Sequence, residues 1–203
     1  MKKTKEEAAL TCRAVLDAAL KIFSIKGYSG TSLEAVAKEA GITRGAIYWH
    51  FNDKFQLFTA VIRMSYEKAK VRVERVLQSS HTPLEKIRQL IRQFFLTVAE
   101  DREFRVIEEV MLFKNEKKKE LKQFYVEHMS KVKEMQDILK QLVEEGIAAG
   151  DFDEGIPTDT LVVALLSYVT GIKSAWVSDG TSFSIIDNAQ YLADIFINGI
   201  AKK

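Results

Sequence analysis

Residues 31–58 constrain the fold of this 203-residue chain more than any other segment. They contain two short helical patterns separated by Gly41, a residue that readily adopts the positive φ found at a helix C-terminus. Thr31 and Glu34 have the spacing of a capping box, which predicts that the first helix begins at this point. Thr43 can cap the second helix with its hydroxyl. The pattern therefore predicts two helices joined by a tight turn, a helix-turn-helix.

The spacing of apolar residues in the second helix predicts an outward face that is rich in charged and aromatic side chains. Its inward residues, at helical spacing, are Ala46, Ile47 and Phe51. A helix-turn-helix places its second helix in the major groove of DNA, which explains this face better than the alternative of a small helical hairpin with a partly exposed aromatic cluster. The predicted outward residues combine charge, aromatic rings and one glycine: Arg44, Gly45, Tyr48, Trp49 and His50.

These outward residues suit different parts of a DNA duplex. Arg44 is predicted to read a base, because a guanidinium can donate to O6 and N7 of guanine together. Gly45 lacks a side chain and would let the helix backbone approach the groove closely. The ring of Trp49 can lie along a sugar or a thymine methyl group. Three other side chains are predicted to donate to phosphate oxygens: Thr43, Tyr48 and His50.

Lys54 is predicted to bind a phosphate at the start of the following helix. Asp53 and Gln56 have capping-box spacing, so a helix begins there. The backbone N–H groups of a helix N-terminus attract anions, and the ammonium of Lys54 adds a full positive charge to them.

Residues 11–58 resemble the DNA-binding domain of TetR/AcrR-family transcriptional repressors, above all in the runs A-V-L-D-A-A-L-K-I-F-S-I-K-G-Y and T-S-L-E-A-V-A-K-E-A-G-I-T-R-G-A-I-Y-W-H-F-N-D-K. Within the family, the run T-R-G-A-I-Y-W-H-F is most similar to the AcrR and TtgR type, which controls multidrug efflux pumps. The C-terminal run S-Y-V-T-G-I-K-S-A-W resembles that type as well. The resemblance implies that Thr31 and Lys54 hold phosphates. It also implies a recognition surface formed by Thr43, Arg44, Gly45, Tyr48, Trp49 and His50.

Composition agrees with a helical, intracellular regulator. The chain is 47% hydrophobic, with two prolines and ten glycines, and it shows no alternating strand pattern, so we expect an all-α fold. The single cysteine, Cys12, is expected to be a half-buried structural thiol, and the polar start M-K-K-T-K-E-E points to the cytoplasm. We expect neither a cofactor nor a metal, because no metal-ligand, P-loop or dinucleotide spacing occurs.

The chain is predicted to form two domains. Residues 1–53 would be the three-helix DNA-binding domain and residues 54–203 a larger helical domain for ligand binding and dimerisation. The first domain carries a net charge of +2 up to residue 53 and +3 when Lys54 is included, while the whole chain carries +2. Affinity for DNA would therefore come from a local surface that is presented twice, by a dimer.

Two C-terminal helical patterns predict a homodimer. Residues 161–177 are apolar nearly all round and residues 185–200 are strongly amphipathic, as expected for helices that pack against a second subunit. A membrane span is the first alternative for residues 161–177, but Ser167, Thr170, Gly171 and Lys173 interrupt the apolar run. Burial inside a monomer is the second alternative.

The larger domain is predicted to bind a hydrophobic or cationic small molecule that releases the DNA. Several helices contribute aromatic or thioether side chains that can line a shared cavity, although each one can equally be ordinary core. If Glu108 or Glu109 faces inward, its charge needs a cationic partner, and the family resemblance favours Glu109. The candidate ligand-binding residues are Phe95, Phe104, Glu109, Phe124, Met129 and Trp176.

Two other functions compete with an efflux repressor. A regulator of lipid or other metabolism would share the same DNA-binding segment. A helical-bundle enzyme could use His128 with Glu108 or Glu109 as acid and base, but the DNA-binding pattern favours a regulator.

Overall fold

The structure, a computed structural model, describes residues 5–102, 104–105, 108, 122–178 and 183–202, with backbone alone at 5–9, 122–125 and 127–128. Within these residues the chain forms eight α-helices and no strand, which confirms the predicted all-α fold. They are α1 Lys5–Lys26, α2 Leu33–Glu39, α3 Arg44–His50, α4 Lys54–Leu77, α5 Pro83–Glu100, α6 Lys122–Ala149, α7 Thr158–Ser178 and α8 Ile185–Ile200.

Three glycines with positive φ end helices. Gly27 follows α1, Gly41 follows α2 and Gly150 follows α6, with φ of 67°, 67° and 81°. A residue with a side chain would be strained there, so these glycines fix where each helix stops.

The N-terminal helices pack around a cluster of aromatic rings. The ring of Phe58 lies edge-on to Phe23 and Tyr28, with centroids 5.2 and 5.1 Å away. Val36 of α2 and Ile47 of α3 are fully buried, and α2 packs against both α1 and α3. Truncating a buried aromatic residue such as Phe23 to alanine costs about 3–5 kcal/mol, so this core holds the two short helices in place.

The predicted capping box of Thr31 and Glu34 is wrong. Ser32 is the N-cap of α2, and its hydroxyl accepts from the N–H of Ala35 at 3.1 Å. Thr31 is instead buried, and its hydroxyl donates to the carbonyl oxygen of Gly27 at 2.7 Å. Two adjacent hydroxyl residues were available, and packing of the chain after α1 decides which of them caps the helix.

The C-terminal core forms mainly between α5, α7 and α8. Helix α5 begins at Pro83, and Thr82 is its N-cap. Its amphipathic face packs against α8 and α7. The fully buried side chains of this core include Ile87, Phe95, Val143, Phe152, Ile185 and Ile197.

Contacts divide the chain into two compact units. One contains Met1–Glu67 and Val106–Phe124, and the other contains Lys68–Arg105 and Tyr125–Lys203. Helix α4 therefore contributes its first part to one unit and its last part to the other. The functional boundary between residues 53 and 54 stays a prediction.

Candidate DNA-binding surface, ligand residues and dimer face

Helix α3 is anchored by its cap and by two buried side chains. The hydroxyl of Thr43 accepts from the N–H of Ala46 at 3.2 Å, as predicted for the N-cap. Ile47 is completely buried and Phe51, directly after the helix, is nearly so. These contacts fix which face of the short helix turns outward.

The outward face of α3 carries the side chains that the sequence places there. Trp49 is 74% exposed and the side chain of Arg44 is 72% exposed. Tyr48 is exposed along the same face, and His50 lies edge-on to the ring of Trp49, with centroids 4.7 Å apart. An ideal Cβ built on Gly45 would meet nothing within 4 Å. The glycine therefore leaves an open space on the exposed face.

A carboxylate from α2 joins this face. The Nε of Arg44 lies 3.2 Å from Oε1 of Glu34, and the hydroxyl of Tyr48 donates to the same oxygen at 3.2 Å. The guanidinium of Arg44 also lies 5.6 Å from the centroid of the Tyr48 ring. The pKa of Glu34 is lowered, first by its own backbone N–H and then, against some desolvation, by Tyr48 and Arg44.

Lys54 begins α4, and the contacts around it are partly those predicted. Asp53 accepts from the N–H of Gln56 at 2.8 Å, as in a capping box, but Gln56 accepts in turn from the N–H of Asn52 at 3.2 Å. The ammonium of Lys54 donates to the carbonyl oxygen of Ser29 at 3.3 Å and lies 4.5 Å from the centroid of the Tyr28 ring. It is thus held beside the helix start by internal contacts.

The structure groups only some of the predicted ligand-binding residues. Phe94 connects two of them, since its ring lies 5.8 Å from that of Phe95 and 6.4 Å from that of Phe104. Phe95 and Phe104 are buried in the core of their unit. Met129, in contrast, is 59% exposed on α6. Glu109 and the side chain of Phe124 lie outside the described residues, as does the side chain of His128.

Trp176 is held by two contacts within its own unit. Its Nε1 donates to the carbonyl oxygen of Phe183 at 3.2 Å. The guanidinium of Arg105 lies 5.8 Å from the centroid of the indole ring and donates from Nη1 to the carbonyl oxygen of Ala99 at 3.0 Å. One face of this tryptophan therefore already accommodates a cation.

Helices α7 and α8 expose several large apolar side chains in the single chain. Val163 of α7 is 59% exposed and lines an open depression of about 420 Å³ together with Asp159, Thr160 and Ala164. The exposed apolar residues of α8 are Ile186, Tyr191 and Ile195. Length and apolar composition would also allow α7 to span a membrane.

Comparison with known proteins identifies the family. Residues 15–61 match the model of bacterial regulatory proteins of the tetR family. Residues 82–201 match the C-terminal region of MAATS-type transcriptional repressors. This chain belongs to the TetR family. The resemblance found in the sequence is thereby confirmed.

Three TetR-family relatives show the range of similarity. The chain is 32% identical to the transcriptional regulator AcrR of Shigella flexneri over 191 residues, covering 93% of this chain and 88% of AcrR. It is 22% identical to the fatty acid metabolism regulator protein of Bacillus subtilis over 193 residues, covering 93% and 95%. The crystal structure of NalD, the secondary repressor of the MexAB-OprM multidrug efflux pump in Pseudomonas aeruginosa, superposes with a TM-score of 0.85 at 27% identity, covering 98% and 100%.

Membership of the TetR family confirms a transcriptional repressor and not an enzyme. The alternative pairing of His128 with Glu108 or Glu109 has no further support. Glu108 is instead near Tyr66, whose pKa is raised by burial and then by the charge of that carboxylate. Among the described residues, no group of three or more His, Cys, Asp and Glu side chains is arranged to hold a metal ion.

Sequence reasoning missed two polar contacts in this TetR-family chain. Arg72 of α4 donates to Oδ2 of Asp101 at 3.1 Å, and Asp101 also accepts from the N–H of Phe104. Burial acts to raise the pKa of Asp101, but the two donors together with the positive charges of Lys68 and Arg72 outweigh it, and the pKa is lowered. Glu34 was assigned to a cap, although it contacts α3. Both contacts join residues from different helices, which periodicity within one helix does not reveal.

Proposed function

We propose that this TetR-family repressor binds a palindromic operator as a homodimer and controls a multidrug efflux operon in the cytoplasm. The observation that carries the DNA-binding proposal is the exposed face of α3. Arg44, Tyr48 and Trp49 stand there around Gly45, where an ideal Cβ would meet no described atom within 4 Å. Charged and aromatic side chains on an anchored short helix fit direct reading of the major groove.

Within this surface we assign a different task to each group. Arg44 reads a guanine, and the open position at Gly45 lets the backbone of α3 enter the groove. The side chains of Tyr48 and His50 and the hydroxyl of Thr43 contact phosphates, and Trp49 packs on a sugar or a thymine methyl group. Lys54 adds charge at the start of α4, and Thr31, whose hydroxyl is buried, supports the chain before α2 instead of binding phosphate.

The homodimer is proposed to form through α7 and α8. Val163, Ile186, Tyr191 and Ile195 expose apolar surface that a second copy would remove from water. A two-fold dimer would present two α3 helices to half-sites about 34 Å apart or a little more. The same contact explains why a helix as apolar as α7 occurs in a DNA-binding protein.

The inducer is proposed to be a hydrophobic or cationic compound that binds near Phe104 and Trp176. The Trp176 ring already has the guanidinium of Arg105 on one face, so an organic cation suits its electrostatics. Binding can release DNA only if the ligand prefers a conformation in which both α3 helices no longer fit the operator. Helix α4, which begins at the DNA-binding segment and ends in the second unit, is the element proposed to carry that change.

Control of efflux rests on the relatives. NalD represses a multidrug efflux pump and shares 27% identity with this chain over nearly its whole length. The fatty acid metabolism regulator of Bacillus subtilis supports the competing assignment to lipid metabolism at 22% identity. The genes beside the coding sequence separate the two, because an efflux repressor is expected next to transporter genes.

In vitro selection of DNA tests the operator proposal. The wild-type protein is incubated with a pool of randomised duplexes, and bound DNA is recovered and sequenced through several rounds. A palindrome with two half-sites about one helical turn apart is the expected product. Recovery of sequences with no common motif, at a salt concentration near 0.15 M, would contradict the proposed function.

Calorimetric titration tests the inducer proposal. A panel of dyes, planar cations and fatty acids is titrated into the protein with and without the selected duplex. Linkage requires that DNA weaken inducer binding by the same factor by which the inducer weakens DNA binding, about 5–150-fold for a coupling of about 1–3 kcal/mol. Equal ligand affinity in both samples would show that the site does not act as an inducer site.

A further inference from the structure

The carboxylate of Glu34 lies in the middle of a surface that is proposed to meet a polyanion. It belongs to the first turn of α2, yet it contacts Arg44 at the start of α3 and Tyr48 one turn later. The side chains of Glu34 and Arg44 are 46% and 72% exposed. An ion pair in water contributes little to folding stability. A negative charge near phosphates also weakens attraction to any DNA.

What Glu34 provides is control over the conformation of Arg44. The ion pair engages Nε, and the guanidinium lies over the Tyr48 ring at 5.6 Å. No described residue accepts from the two terminal nitrogens, Nη1 and Nη2. These are the donors that can reach O6 and N7 of a guanine together, and a side chain already held in one conformation loses less freedom when it binds.

Resting on the proposed operator binding, we propose that Glu34 is a positioning residue that determines sequence specificity. It holds Arg44 and Tyr48 in the arrangement that an operator base requires. At other sequences, where no guanine accepts from Arg44, the carboxylate keeps the guanidinium from turning to a phosphate and adds repulsion. Glu34 would thereby increase the difference in affinity between operator and random DNA without contacting either.

A second carboxylate of α2 provides a matched control. Glu39 forms an ion pair with Lys21 of α1, with Nζ and Oε1 2.5 Å apart, and so it is paired with α1, whereas Glu34 is paired with α3. Glu34→Gln and Glu39→Gln therefore remove the same charge from the same helix. Only the first removes it from the recognition residues.

The experiment measures dissociation constants for the selected palindromic duplex and for a random duplex of equal length at about 0.15 M salt. Glu34→Gln is expected to bind random DNA about 3-fold more tightly and to lower the ratio of random to operator dissociation constants about 10-fold. Glu39→Gln is expected to leave that ratio unchanged. An equal fall of the ratio in both variants, or no fall in Glu34→Gln, overturns the proposal.

A double-mutant cycle with Arg44→Ala separates positioning from simple charge removal. If Glu34 acts through Arg44, adding Glu34→Gln to Arg44→Ala changes both dissociation constants by the same factor and leaves their ratio where Arg44→Ala put it. A further 10-fold fall in the ratio would refute positioning. Failure of the wild-type protein to select any palindrome would refute the proposed function itself, before any variant is measured.

Discussion

The exposed face of α3 and the exposed faces of α7 and α8 both carry uncovered apolar side chains, but they differ in the residues around them. Each leaves large apolar side chains uncovered in a single chain, Trp49 in the first and Val163 and Ile195 in the second. Beside Trp49 stand Arg44 and the hydroxyl of Tyr48. The large apolar side chains exposed on α7 and α8 are three aliphatic ones and one tyrosine: Val163, Ile186, Ile195 and Tyr191.

Exposure alone therefore does not tell what a surface binds. Aromatic rings next to a guanidinium and an open glycine suit a groove lined with phosphates and base edges. Aliphatic side chains without such neighbours suit another apolar surface, because only removal from water favours their contact. The neighbouring residues are the reason why we propose DNA as the partner of the first region and a second subunit as the partner of the other.

The largest expected effect comes from placing charge on the proposed dimer face. Combining Val163→Glu with Ile195→Glu would bury unpaired carboxylates between subunits, so the dimer should dissociate at micromolar concentration. Operator affinity should fall about 100-fold or more, because each monomer then binds one half-site without the benefit of linkage. Sedimentation and gel-shift titration measure both. Val71→Glu changes a valine of α4 that is 55% exposed and should alter neither.

Removing the proposed base reader is the next effect in size. Arg44→Ala should cost about 1–3 kcal/mol of operator binding and relax preference at one base pair. Lys54→Ala should weaken all duplexes similarly and reduce the salt dependence, because it acts on phosphate. Thermal melting of Lys54→Ala is the control, since Lys54 also lies over Tyr28. Equal loss of base preference in both variants would reverse the two assignments.

Gly45→Ala should move stability and DNA affinity in opposite directions. An added Cβ meets no atom of the described residues within 4 Å, and alanine favours a helix by up to about 1 kcal/mol over glycine. On DNA the methyl group would keep the backbone from the groove, so operator affinity should fall about 10-fold. Unfolding in urea and gel-shift titration give the two values. Unchanged affinity would mean that α3 does not approach DNA at this position.

The smallest effect is expected away from both surfaces. Asp101→Asn should lower the free energy of unfolding by about 1–2 kcal/mol at pH 7, because Arg72 loses its partner while staying partly in water. The pKa of Asp101 is lowered in the folded state, so its contribution is present above the ordinary value of 3.8 and is lost as pH falls through the lower one.

Urea unfolding at pH 7 and pH 3 tests whether the contribution of Asp101 to stability is lost at acid pH. The difference between Asp101→Asn and the wild type should shrink at pH 3. Glu134→Gln, which removes a carboxylate of α6 that is 56% exposed and paired with Lys131, should stay near the wild type at both pH values. A difference that grows toward acid pH would contradict the lowered pKa.

The sequence predicts features that depend on neighbouring residues in the chain better than features that depend on packing between helices. Helix α8 spans Ile185–Ile200 as its periodicity indicates, and Thr43, Ile47 and Phe51 take their predicted places, because caps and helical spacing are local properties. The capping assignment of Thr31 failed because its burial depends on the packing of the chain after α1.

Whether a residue lines a ligand cavity depends on contacts between helices. The sequence therefore could not predict which of the candidate ligand residues lie together. Nothing in a single helix distinguishes Met129, which is exposed, from Phe95, which is in the core. The contact of Arg105 with Trp176 joins residues far apart in the chain. Glu34 reaches α3 across a turn, so its neighbours follow from the fold and not from spacing.

The two tryptophans of this chain give each region its own fluorophore. Trp49 is 74% exposed on α3, so its emission should be that of indole in water and should change when DNA covers it. Trp176 is partly buried, hydrogen-bonded to Phe183 and lies under a guanidinium, so its emission should respond to a molecule that enters the second unit. With Trp176→Phe or Trp49→Phe, one cuvette can follow either event alone, without any attached dye.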